Sequence, residues 1–243
     1  MNSPRSTAAL KQAVPLAANV FRNELSKLPP VVIVHGLFGS SQNWKTVSKE
    51  LAKDREVHAV GYLIFDILSF QGGKTAMVTA LNHKELVRKV IVVDISPVSY
   101  RGSQTEMVSY AKALADLDLK SINSRKEAYD ALKVDIPDDD HLQFMITNLV
   151  KTGDKEFKWR LNVNILPSLI PSFAKFPETV KNKPFDGLTL FLHGNKSRYY
   201  QPRFLPEIEA LFSNYEIKGL DAGHWVHADA PEAFLVEAKR FLD

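Results

Sequence analysis

Three short stretches carry residue types suited to chemistry on an acyl group. The first is His35-Gly36-Leu37-Phe38-Gly39, whose glycines let backbone N–H groups turn toward a bound oxyanion. An ordinary strand-to-helix turn favours Gly for the same conformational freedom. The second is Asp221-Ala222-Gly223-His224-Trp225-Val226-His227-Ala228-Asp229, where an imidazole on a Gly-containing loop is placed to act as a general base. His224 and His227 also read as a paired-His metal site, but no third ligand stands at helical spacing, so no metal is expected. The third is Asp94-Ile95-Ser96-Pro97-Val98, whose acid can orient the imidazole of His224 and stabilise its charged form. An Asp shortly before Pro97 also suits the start of a turn. The competing acid position, His193-Gly194-Asn195-Lys196-Ser197-Arg198, contains no carboxylate. The remaining histidines, His35, His58, His83, His141 and His193, are weaker candidates for the base, and most read as structural or surface residues. An oxyanion loop, an acid and a base in this order call for a serine ahead of Asp94, on a strand–turn–helix elbow of the form G-x-S-x-G.

These stretches need a scaffold, and the hydrophobic pattern supplies one. Val31–Val34 is a β-branched run between Pro30 and the first loop, as expected of a parallel strand covered on both faces. Ser41–Leu51 carries Trp44, Val47, Ser48 and Leu51 at helical spacing. Glu56–Val60 and Val90–Val93 read as strands, with Gly73–Leu81 a helix between them. Leu188–Leu192 and Tyr215–Ile217 are two further strands. Residues 231–242 form an amphipathic helix opened by Pro231. This alternation predicts an α/β fold with a mostly parallel sheet and helices on both faces. Loops at the carboxyl ends of such strands form the binding crevice, which places function at 35–40, 68–73, 94–98, 193–198 and 221–227. Residues 99–183 break the rhythm. Met107–Leu117, Arg125–Leu132, His141–Leu149 and 161–176 read as helices without a buried strand, and predict an inserted cap. The core is then 13–98 plus 184–243.

Composition narrows the field further. The chain has 243 residues, 45% hydrophobic and 24% charged, which is ordinary for a folded domain. There is no Cys, which removes disulfides, thiolate metal sites and a cysteine nucleophile. Thirty-one basic against 28 acidic residues give +3, too mild to argue for nucleic acid. No apolar run approaches the roughly 18–20 residues of a membrane span. Residues 1–12 are expected to be disordered or a targeting segment, with Ala13–Phe21 a first edge strand. Arg5, Lys11 and Arg22 all come before the first acid, Glu24, as in a mitochondrial transit peptide, with an ordinary ragged terminus the alternative.

On the segments HGLFGSSQNW (35–44), GGKTAMVTAL (72–81), VVDISPV (92–98), FKWRLN (157–162) and AGHWVHAD (222–229), the sequence resembles the α/β-hydrolase superfamily. Within it, the chain is similar to the α/β-hydrolase domain-containing protein 11 family, with its small bacterial esterases and fungal ethanol acetyltransferases. The resemblance runs from about residue 13 onward. It implies esterase, lipase or acyltransferase chemistry through an acyl-enzyme on serine, without a cofactor, on a small acyl-ester or thioester-like substrate. Hydrolysis and transfer share that acyl-enzyme and both stay open. The aligned acid is Asp94 and the aligned base is His224. The oxyanion donors are the amides of Leu37 or Phe38 and of the residue after the nucleophile, Gln71. Ser197 lies where some bacterial relatives place a further Ser. Family members are commonly mitochondrial, which favours that compartment over the cytoplasm.

The elbow departs from this pattern. Where the family reads Gly-His-Ser-Met-Gly-Gly-Lys, this chain reads Leu68-Ser69-Phe70-Gln71-Gly72-Gly73-Lys74. Phe70 takes the nucleophile's place and has no nucleophilic atom. Ser69 is a weak surrogate, one residue early and flanked at the glycine positions by Ile67 and Gln71. Only Gly61–Gln71 separates the strand at 56–60 from the helix at 73–81, and a parallel crossover needs about a dozen residues or more before its strand begins. One crossover helix is therefore missing near 61–71, and one sheet face should be underpacked. The simplest reading is an exon-skipped or mis-assembled product of an active hydrolase gene. A pseudoenzyme with a remodelled sheet, binding an acyl ligand or partner, is the rival.

Overall fold

The computed structural model describes residues 16–61, 72–100, 102, 104–153, 156–180 and 182–243. Its strands are β1 (Ala17–Phe21), β2 (Val31–Val34), β3 (Val57–Gly61), β4 (Lys89–Val93), β5 (Leu149–Lys151), β6 (Phe157–Trp159), β7 (Leu188–Gly194) and β8 (Tyr215–Leu220). Its α-helices are α1 (Lys45–Leu51), α2 (Gly72–Asn82), α3 (Gln104–Asp116), α4 (Arg125–Leu132), α5 (Asp139–Ile146), α6 (Leu166–Phe173), α7 (Leu205–Leu211), α8 (Val226–Asp229) and α9 (Pro231–Leu242). The expected α/β architecture is present. Among the described residues, two three-stranded sheets form in the orders β1-β3-β2 and β4-β7-β8. The pairs β2–β3, β4–β7 and β7–β8 are parallel, and β1 runs antiparallel on β3. The edge strand thus begins at Ala17 among the described residues, and the expected segment 1–12 lies outside them.

The two sheets are bridged by α2. A Cβ on Gly72 would lie 1.8 Å from the carbonyl oxygen of Val34, and one on Gly73 would lie 2.5 Å from Cγ2 of Ile95. Only glycine allows the helix start to wedge against the end of β2 and the turn after β4 at once. Between β2 and β4 runs a cleft of about 680 Å³, lined on one side by Val31–Gly39 and on the other by residues 86–91, Val93 and Ile95. Among the described residues, neither strand pairs with another across it.

The faces of the sheets differ. Phe21, Val31, Ile33, Val57 and Ala59 lie under α1 and α9, packed on Val47, Leu51, Phe234 and Ala238. The opposite face carries the row Val20–His58–Val32, in register across β1, β3 and β2. There Val32 is 60% and Val20 42% exposed. Both residues lie on the outer strands of this sheet, and its second face is partly exposed among the described residues.

Residues 107–170 form, together with Phe38, a further hydrophobic cluster around Met107, Tyr110, Leu114, Leu132, Leu142 and Leu149, while Phe176 and Val180 pack with β4 and β7. Helix α4 matches its expected range, with Ser124 accepting the Glu127 N–H as N-cap. One expectation is corrected. The reading of His141–Leu149 as one helix fails, because α5 stops at Ile146 and Leu149 opens the β5–β6 antiparallel hairpin. Three-residue strands are too short for alternation to register in the sequence.

Candidate active site

Asp94 follows β4 and is 1% exposed, with a backbone φ of +48°. Its carboxylate is fully engaged. Oδ1 accepts the Gly194 N–H at 3.0 Å, while Oδ2 accepts Ser197 Oγ at 2.5 Å and lies 2.6 Å from His224 Nδ1. The acid loop and the base loop meet because β7 and β8 end side by side. A Cβ on Gly194 would sit 2.0 Å from the Gly223 carbonyl oxygen, so only glycine lets the two loops approach this closely. The three residues predicted far apart in sequence, Asp94, Ser197 and His224, are therefore one constellation.

Tyr199 completes it and was not anticipated. Its ring lies 4.2 Å from the His224 ring, and its N–H donates to Ser197 Oγ. Burial and nearby carboxylates push its phenol up to about 12, so it stays neutral against the imidazole. Trp225 packs edge-on to His224 at 5.6 Å and to His141 at 5.2 Å. His141, a weaker candidate from the sequence, also lines the cleft, with Nδ1 2.9 Å from Asp138 Oδ1. Adjacency to flagged loop residues was the only sequence signal for Tyr199. His141 had none.

His227 does not join the constellation. It stacks on Trp44 at 3.9 Å, and burial beside His224 lowers its pKa to about 4, keeping it neutral. No cluster of three or more His, Asp or Glu side chains able to hold a metal occurs among the described residues.

The first loop forms a turn closed by the Gly39 N–H on the Gly36 carbonyl at 3.1 Å. Phe38 has a φ of +54°, and with Asp94 it is one of two non-glycine residues with positive φ among the described residues. Such conformations cost on the order of 1–3 kcal/mol each and persist where surrounding structure enforces them. Neither the Leu37 nor the Phe38 amide has a hydrogen-bond partner among the described residues, and both residues line the cleft that His224 also lines. His35 is buried below this turn, and burial lowers its pKa. Lys74, in the first turns of α2, is 3% exposed and donates to the Ala174 carbonyl at 2.9 Å; burial lowers its pKa to about 7. The nucleophile and the last oxyanion donor, on the readings Ser69, Phe70 and Gln71, lie outside the described residues.

An imidazole oriented by a buried carboxylate can take and return a proton, and unpaired amides can hold a developing oxyanion. Similarity to known proteins runs over most of the chain. A mouse protein named sn-1-specific diacylglycerol lipase ABHD11 is 32% identical, with 94% of this chain and 85% of the relative covered. The chain belongs to the α/β-hydrolase superfamily, in the family of that relative. The Escherichia coli esterase YbfF is 25% identical, with 88% of this chain and 93% of the relative covered. A marine microorganism esterase of known structure matches the fold with a TM-score of 0.82 at 23% identity, covering 94% of this chain and 100% of that one. No protein-family model matches the chain. The family is thus one of esterases and lipases of the α/β-hydrolase fold. With the mouse relative, the alignment runs over 266 positions yet draws on 94% of 243 residues, so a few dozen positions of that protein have no counterpart here.

Proposed function

We propose that this chain keeps the acid–base half of a serine-hydrolase site for carboxylic esters and binds acyl compounds without turning them over. His224 is the general base and Asp94 its orienting acid, with Ser197 as a second hydrogen-bond donor on that acid. The amides of Leu37 and Phe38 receive the acyl oxygen, and residues 99–183 act as the cap. The observation that carries this reading is the 2.6 Å contact of His224 Nδ1 with Asp94, in a cleft shared with the unpaired amides. Phe70 in the nucleophile register and the shortened crossover argue for impairment. Losing a triad nucleophile costs about 10⁶ in turnover.

The substrate side is a small acyl ester, in keeping with relatives named as a lipase and an esterase. Leu37, Met107, Phe144 and Met145 give the cleft an apolar wall for an acyl chain. Titration with octanoate, alongside a p-nitrophenyl butyrate assay, tests the proposal. Saturable binding with no turnover above a buffer blank supports it; product release at rates typical of esterases refutes the impairment. Exon skipping is the proposed origin, and a longer transcript encoding a G-x-S-x-G segment between codons 60 and 72 is the expected finding. A mitochondrial address belongs to the same proposal, supported by the acid-poor start, and import of the full chain into isolated mitochondria checks it.

A further inference from the structure

The turn that offers the Leu37 and Phe38 amides is held by the cap more than by the sheet. Phe38 is 3% exposed, and its side chain is packed in the cluster otherwise built from residues 107–170. Its carbonyl oxygen accepts a 2.6 Å hydrogen bond from Nδ2 of Asn148, a fully buried residue at the foot of the β5–β6 hairpin. The orientation of that side chain is fixed, since the reverse would set two oxygens against each other. Asn148 Oδ1 has no partner among the described residues. At the other foot of the hairpin, the Arg160 N–H closes on the Asn148 carbonyl, and the Arg160 guanidinium reaches Ser40 Oγ at 3.4 Å. Both ends of one cap hairpin therefore grip residues 38–40.

The backbone explains what the grip does. A turn from Gly36 to Gly39 with positive φ at its third residue normally places Gly there. With Phe in that place, the relaxed alternative has negative φ, which rotates the Leu37–Phe38 peptide and swings its N–H to the other face of the turn. We propose that Asn148 is a positioning residue that holds Phe38 in its left-handed conformation, so that the anion-binding amides exist only while the cap is seated. This rests on the acyl-binding reading above. The occupant it implies is an anionic oxygen on an acyl carbon, as in a carboxylate or a tetrahedral adduct.

The test compares sodium octanoate with octan-1-ol by calorimetric titration, since the two share a chain and differ in the charged oxygen. Asn148→Ala is expected to weaken octanoate by about tenfold or more, the size of one hydrogen bond to a charged group, with octanol within about twofold. Phe38→Gly added to Asn148→Ala is expected to restore most of the octanoate affinity, because Gly takes the positive φ without being held. Equal loss for both ligands, no loss for either, or no recovery in the double variant while octanol still binds would overturn the assignment. A readout that needs no variant is the amide spectrum of the unaltered protein. Octanoate should shift the Leu37 and Phe38 N–H resonances and octanol should not; unshifted amides at saturation refute the proposal. If the parent protein binds octanoate and Asn148→Ala changes nothing, this inference alone fails. If it binds neither ligand, the acyl-binding reading falls with it.

Discussion

The two sheets meet at the same crevice but are finished to different standards. Beside β4-β7-β8, Asp94 is buried, accepts from three groups and faces an imidazole braced by Tyr199. Both faces of that sheet contribute to packed clusters, through Leu190 and Leu192 on one and Val90, Val92 and Phe191 on the other. In β1-β3-β2, one face is packed under α1 and α9 while the other leaves Val20 and Val32 exposed. The exposed face and the proposed loss of the elbow serine both belong to this half, next to the short stretch between Gly61 and Gly72. Acid and base stand at the ends of β4 and β8, away from the stretch between Gly61 and Gly72. Chemistry and packing are separable here because parallel strands hand their side chains to the crevice one loop at a time.

The largest expected effect comes from repairing the poorer half. A form of the chain carrying a full crossover and a G-x-S-x-G elbow should hydrolyse p-nitrophenyl butyrate about 10⁶-fold faster than this one. Asp94→Asn within that form should then cost about 10⁴-fold in kcat by misorienting the base. Unchanged turnover after the repair would place the fault elsewhere. In the present chain, Asp94→Ala should lower unfolding stability by about 3 kcal/mol in urea titrations, since it orphans several buried donors.

A pH series sharpens the contrast on the imidazole side. His227 has a folded pKa of about 4, below its unfolded value near 6.5. Between those values the unfolded chain binds the extra proton, so stability should fall as pH drops from about 6.5 to 4 and level off below. His227→Phe keeps the ring stack on Trp44 and should flatten that part of the profile. Lys74 acts in another window. Its folded pKa of about 7 lies below the unfolded value near 10.4, so its unfavourable contribution grows as pH falls from about 10 to 7. The Tm of Lys74→Met, relative to the parent, should rise over that interval. The smallest effect belongs to the exposed face. Val32→Thr should change stability by no more than about 0.5 kcal/mol while reducing binding of a hydrophobic dye. A loss of several kcal/mol would mean the face is covered.

Much of this site was legible because its residues sit at strand ends punctuated by Gly and Pro. Asp94 and His224 could be named from that punctuation, and the hydrophobic runs around them mark the strands that bring them together. The hairpin at 149–159 escaped notice because three-residue strands show no period. The Asn148–Phe38 bond escaped for another reason: it joins residues 110 positions apart, and neither end belongs to a pattern that announces the other. Tyr199 bears on His224 only through the closeness of β7 and β8, which no local signal encodes. An underpacked face, by contrast, is an expectation from chain length alone, and exposed Val20 and Val32 are consistent with it.

The central proposal is that no serine of this chain serves the acid–base pair and the anion-binding turn as a nucleophile. Intact-protein mass spectrometry after incubation with a fluorophosphonate probe tests it most directly. The unlabelled mass should persist in full. A stoichiometric adduct that maps to Ser69 would contradict the account.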